Sequence, residues 1–165
     1  MQVAAARRAM RRIAQLLDEY SESHRHPLNK LLHWVCVPVI FWAVAALLWS
    51  LPFPLEPRFL WLPLNWAVIA MLALQVYYFR LSLPLALGFV AVNIAVLALA
   101  GYAAHAAPWP LWQLALALFV VAWIGQFIGH ALEGKRPSFF KDLQFLLIGP
   151  AWLLAAVYRA AGLKY

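Results

Sequence analysis

Three histidines stand where long apolar runs meet polar flanks: His24 and His33 shortly before the first run, and His130 directly after the fourth. Imidazole is the commonest metal ligand among protein side chains, so three rings brought together would form a metal centre. An amide precedes two of them by one helical turn, Asn29 before His33 and Gln126 before His130, a spacing that makes neighbours on a helix. A metal-bound imidazole needs a hydrogen-bond partner on its second nitrogen to fix its tautomer, and an amide oxygen can serve. Glu133, three residues after His130, is a further partner of this kind or a carboxylate ligand. His26 is close in sequence, and spacing does not exclude it. Spacing alone leaves metal binding and simple interfacial anchoring equally open for His24, His33 and His130.

Whether the rings can meet depends on the elements around them. Pro27 favours the first position of a helix and pushes His26 out of helical geometry, so a helix is predicted to start at Pro27 and run through His33. Without that break, nine residues of continuous helix would turn His24 about 180° away from His33. With it, His24 can fold back toward the face that His33 presents.

The chain is 66% hydrophobic and only 12% charged, with a mean hydropathy of +0.77. A soluble domain of 165 residues could not hide that much apolar surface. Runs 34–51, 61–79, 81–104 and 111–129 carry no charge, and each can cross ~30 Å of hydrocarbon at ~1.5 Å per residue. Run 143–158 is short and holds Pro150. The expected fold is an all-α integral membrane helical bundle with four transmembrane helices, a fifth short or re-entrant helix being left open. It forms one membrane domain over 1–165: an amphipathic segment 1–33, four spans within 34–129, and a histidine-containing segment 130–165 that ends in the short apolar helix. Four crossings separate His33 from His130, which puts both on one side of the membrane.

Lys and Arg placement gives the orientation. Arg7, Arg8, Arg11, Arg12, Arg25, Lys30, Arg80, Lys135, Arg136 and Lys141 fall on the side of the histidines, against Arg58 alone on the other. The amino terminus and the histidine cluster are therefore expected to be cytoplasmic, in a bacterial inner membrane. The net charge of +7 is topological and suits anionic headgroups; nucleic acid is not an expected partner. Residues 1–20 read as an amphipathic helix, Ile13, Leu16 and Leu17 opposing the arginines, suited to a membrane surface. They lack the early apolar core of a signal peptide. Trp34 marks the nearby interface.

Cys36 is the only cysteine and is read as an apolar filler, so neither an intrachain disulfide nor a thiolate cluster can form. Gly125 and Gly129 form a small-xxx-small pair that means close helix packing; a homo-oligomer is left open. Asn65 and Asn93, inside spans, are read as interhelical glue. His105, in the opposite connection, is read as an anchor or packing residue.

The string Tyr20-Ser-Glu-Ser-His24-Arg-His-Pro27-Leu-Asn29-Lys-Leu-Leu-His33, the pair Val37-Pro38, and later Gln126-Phe-Ile-Gly-His130 and Glu133-Gly-Lys-Arg-Pro137 resemble the Mpo1-like family, also called DUF962. The resemblance runs from about Tyr20 to Tyr158. It implies a membrane-embedded, Fe(II)-dependent dioxygenase that shortens 2-hydroxy fatty acids by one carbon in α-oxidation. By that resemblance His24, His33 and His130 are the family's histidines, Asn29 its asparagine and Pro137 its proline. Position 26 is histidine where relatives can carry asparagine, which ranks His26 behind the ligands.

Three neutral imidazoles on Fe(II) keep up to three positions open, two for the carboxylate and hydroxyl of a 2-hydroxy acid and one for dioxygen. Arg25, Lys30, Lys135 and Arg136 are candidates to draw in the carboxylate, or are topology markers only. The expected partners are a 2-hydroxy fatty acid, O₂ and membrane lipids. Two other classes stay open: a non-enzymatic membrane scaffold or lipid-binding protein, and a zinc-dependent lipid hydrolase, since imidazole suits zinc as well.

Overall fold

A computed structural model describes residues 2–22, 24–54, 58–59, 62–134 and 139–165, with side chains at 12–22, 24–54, 64–134 and 147–165. Among these residues six helices follow one another: α1 (Gln2–Glu22), α2 (Pro27–Trp49), α3 (Trp66–Leu81), α4 (Leu83–Ala106), α5 (Leu111–Leu132) and α6 (Phe139–Ala160). The other regular feature among the described residues is an antiparallel pairing of Arg58–Phe59 with Leu62–Pro63 between α2 and α3. The architecture is an all-α bundle of membrane type. Helices α2, α4 and α5 are long and apolar enough to cross a membrane.

The second expected span is shorter than its apolar run. Helix α3 has 16 residues, ~24 Å of rise against ~30 Å of hydrocarbon, because its start is displaced to Trp66. Asn65 causes this: its backbone is extended and its side-chain oxygen accepts from Val68 N–H at 3.1 Å. Asn65 is thus an N-cap and not interhelical glue, its oxygen being taken up by an orphan N–H of the first turn. Asn93 does join helices, donating from α4 to Gln75 Oε1 of α3 at 3.0 Å. Gln75 in turn donates to the Ala86 carbonyl at 2.8 Å.

Helix α2 is the hub, touching α3, α4, α5 and α6. Its closest partner is α5, and small residues permit the approach. A Cβ on Gly129 would fall onto Asn29 Oδ1, and one on Gly125 would lie 2.7 Å from Cys36 Sγ. Cys36 is buried there, a filler in a tight seam.

Helix α1 uses its apolar face within the protein. Ile13, Leu17 and Tyr20 recur on one face and are buried in the main core with Ile148, Ala151 and Trp152 of α6, so this stripe covers helices where a lipid surface was expected. Arg7, Arg8 and Arg11 have side chains outside the described ones. Helix α6 has 22 residues, of which Leu147–Ala160 form the apolar stretch with described side chains. It packs on α1, α2 and α4; Tyr78 donates to the Leu147 carbonyl at 2.6 Å and Tyr158 to the Pro84 carbonyl at 3.0 Å.

Candidate metal centre

The break between α1 and α2 is built as the proline spacing predicts. His26 caps α2 with extended backbone, Pro27 takes the first helical position, and His26 Nδ1 accepts from Leu28 N–H at 3.2 Å. His24 lies in the turn and is buried, as is His33, directly before the uncharged run that opens at Trp34. Helices α2 and α5 run antiparallel, since Gly125 meets Cys36 while Gly129 meets Asn29 and Leu32. The last turn of α5 therefore delivers His130 to the first turns of α2.

The three rings converge. Centroids lie 4.1 Å apart for His24 and His33, 5.2 Å for His33 and His130, and 5.6 Å for His24 and His130. One ligand nitrogen from each falls within 4.8 Å of the others. Metal–nitrogen bonds of ~2.1 Å at tetrahedral or octahedral angles separate ligand nitrogens by roughly 3.0–3.4 Å, so side-chain shifts of about an ångström close the rings on an ion. The set fits a transition metal, for which imidazole is a suitable ligand.

Backbone carbonyls set the tautomers of two of the rings. His33 Nδ1 is 2.9 Å from the Asn29 carbonyl, and His24 Nδ1 makes the same contact with the Tyr20 carbonyl at 2.5 Å. A carbonyl only accepts, so each Nδ1 carries hydrogen and each neutral ring keeps its lone pair on Nε2. This corrects the expectation for Asn29: its main chain, not its side-chain amide, orients His33. The Asn29 amide donates instead to Glu133 Oε1 at 3.1 Å.

Glu133 stands outside the cluster of ligand atoms and acts as a clasp. Its carboxylate also accepts from His26 N–H, at the start of α2, where unsatisfied N–H groups attract negative charge. Burial works to raise its carboxyl, but hydrogen bonds from His26 N–H, the Asn29 amide and Arg25 N–H outweigh it and hold it below the usual carboxylate range. Gly134, at a left-handed φ of 66°, turns the chain immediately beyond this clasp.

Gln126 departs from expectation more strongly. The residue is 5% exposed, yet Oε1 has no hydrogen-bond partner among the described residues. An unsatisfied buried acceptor costs about 1–3 kcal/mol.

Arg25 and Lys30 are exposed beside the centre, whereas Lys135, Arg136 and Pro137 lie outside the described residues. His105 is exposed in the last turn of α4, a helix length from the cluster. An apolar cavity of about 140 Å³ lies between α2, α3 and α6, lined by Phe41, Val44, Met71 and Leu147 among others; its lining among the described residues is apolar.

Residues 10–161 match the family model described as 2-hydroxy-palmitic acid dioxygenase Mpo1-like. The chain belongs to the Mpo1-like family. No curated protein and no solved structure matches it. The Mpo1-like match includes every element that builds the cluster: the end of α1, the α1–α2 turn, α2, α5 and α6.

Two residues of the Mpo1-like site carried no assignment from spacing. Tyr20 stacks on His24 with centroids 4.1 Å apart, and Trp152 lies 5.8 Å from the same ring while its indole donates to Ser21 Oγ at 2.8 Å. The spacing of Ile13, Leu17 and Tyr20 on one face of α1 was the available signal for the first. Trp152 had none, because the contact of α6 with α1 joins distant parts of the chain.

Proposed function

We propose that this protein is an Fe(II)-dependent dioxygenase of the membrane that converts 2-hydroxy fatty acids to acids one carbon shorter. The observation that carries the reading is the convergence of His24, His33 and His130 at the polar end of an apolar bundle. Family membership supports the substrate class, since the family description names a 2-hydroxy-palmitic acid dioxygenase. We place the cluster on the cytoplasmic side of a bacterial inner membrane on the strength of the Lys and Arg asymmetry, in a single membrane domain. A reporter at the amino terminus and one in the 131–142 segment would then both be cytoplasmic; opposite locations would remove the orientation.

His24, His33 and His130 would hold the iron, which when bound supplies open positions for a bidentate 2-hydroxy acid and for dioxygen. The residues of the chain do the rest. The carbonyls of Tyr20 and Asn29 fix the rings of His24 and His33 before any ion arrives, and Glu133 holds the start of α2 against the end of α5. Tyr20 and Trp152 shield the His24 side from water, while His130 is only half-buried and leaves the approach open on its side. Arg25 and Lys30 offer positive charge to the carboxylate, and the alkyl tail stays among the apolar helices. The overall reaction, 2-hydroxy acid plus O₂ giving the shortened acid, CO₂ and water, draws all four electrons from the substrate, so no organic cosubstrate is needed.

The test is purified protein in detergent, loaded with Fe(II) and given 2-hydroxypalmitic acid under air. A product one carbon shorter, with matching oxygen uptake and no added 2-oxoglutarate, is expected; the 3-hydroxy isomer and the unsubstituted acid should not react. Zinc as the purified metal, with ester hydrolysis and no oxygen uptake, would establish the hydrolase instead. Absence of metal binding would leave a scaffold.

A further inference from the structure

Gln126 Oε1 is a buried acceptor at this site without a hydrogen-bond partner among the described residues. It lies on the face of α5 that meets α2, between Gly125, which sits on Cys36, and Gly129, which sits on Asn29 and Leu32. In that antiparallel register Gln126 lies opposite residues 32–35 of α2, a stretch that includes His33, and one turn before His130.

The donors of His24, His33 and Asn29 are committed elsewhere. Nδ1 of His24 and of His33 face backbone carbonyls, and the Asn29 amide faces Glu133. Trp123 Nε1 also lacks a partner among the described residues, but its ring packs with Phe119 and Phe127 on the neighbouring stripe of α5. A buried acceptor left open among the described residues, one helical turn from His130, suits a ligand that brings its own O–H.

We infer that Gln126 Oε1 accepts the hydrogen bond of the substrate's 2-hydroxyl group and makes Gln126 a specificity-determining residue. The inference rests on the reading under Proposed function, because only a hydroxy acid bound at the histidine cluster presents that hydrogen there. A hydroxyl whose oxygen is held by a cation is a stronger donor, and a neutral amide oxygen takes its hydrogen bond without adding negative charge next to the carboxylate.

Binding, not turnover, decides the matter. Iron-loaded protein is kept free of oxygen, and the dissociation constants of 2-hydroxypalmitic, 2-methoxypalmitic and palmitic acid are measured for the wild type and for Gln126→Met, which keeps the volume and removes the acceptor. The wild type should prefer the hydroxy acid over the methoxy acid, and Gln126→Met should lose about tenfold of that ratio while keeping its iron and its affinity for palmitic acid. Gln126→Glu, which retains an acceptor oxygen, should keep the ratio and guards against a Met variant that fails to fold. An unchanged ratio in Gln126→Met, or loss of iron from it, overturns the assignment of Gln126 alone. A wild type that binds palmitic and 2-hydroxypalmitic acid equally overturns the substrate reading itself, and the inference falls with it.

Discussion

At one end of the bundle three imidazoles from the α1–α2 turn, α2 and α5 converge; at the other, His105 stands exposed in the last turn of α4. The residue type is the same, and what differs is how many elements meet around it. Near His24 the α1 stripe, the tight α2–α5 seam and α6 all close on one point, so polar groups there are buried and oriented by backbone carbonyls and by Glu133. Near His105 the surroundings are exposed aromatics, Tyr102, Trp109 and Trp112, as expected of side chains at a membrane–water interface. A histidine gains chemistry here from convergence and not from its place at the end of a helix.

Alanine at His24, His33 or His130 should break the contrast most completely. Loss of an outer partner of a ligand typically reduces metal affinity by roughly 10–100-fold, and loss of a ligand itself should exceed that. The helices should persist, because apolar burial and not the metal holds them together. Iron content by elemental analysis and helix content by circular dichroism check both halves; full iron occupancy in His130→Ala would remove that residue from the ligand set.

Next comes the seam. Gly129→Ala gains up to ~1 kcal/mol of helix propensity, against ~1–3 kcal/mol for overpacking. Asn29 is fully buried and tied to Glu133, so it cannot yield and overpacking should win. Thermal melting in detergent should show net destabilisation together with weaker iron binding; a more stable protein with unchanged affinity would mean that α5 need not approach so closely.

The clasp should show itself through pH. The Glu133 carboxyl is held low in the folded protein, so its contribution is fully present above the ordinary carboxylate pKa and is lost as pH falls through the lowered folded value. In metal-free protein the stability gap between wild type and Glu133→Gln should therefore be widest near neutrality and shrink on acidification. A gap independent of pH would assign the clasp to shape alone. Smallest of all, His105→Ala should change stability by no more than about 0.5 kcal/mol and leave iron content unaltered, which sharpens the difference between the two ends.

Much of this protein is legible one residue at a time. Uncharged runs of membrane length follow from the cost of exposing apolar side chains, and the helix start at Pro27 follows from the ring that blocks its nitrogen. The even number of crossings expected from those runs would return the end of α5 to the start of α2, and so names His24, His33 and His130 as candidates. Asn65, inside a continuous apolar run, already departs from this: hydropathy does not register a cap, so the third helix begins later than the run. The partners of the site were decided in three dimensions. Asn29 turns its carbonyl to His33 and its amide to Glu133, Gln126 keeps an acceptor without a partner among the described residues, and Tyr20 and Trp152 wall in His24. Hydrogen bonds depend on direction over a few ångströms, and that direction is set by how closely Gly125 and Gly129 let α5 approach α2. Spacing within either helix carries no record of that distance.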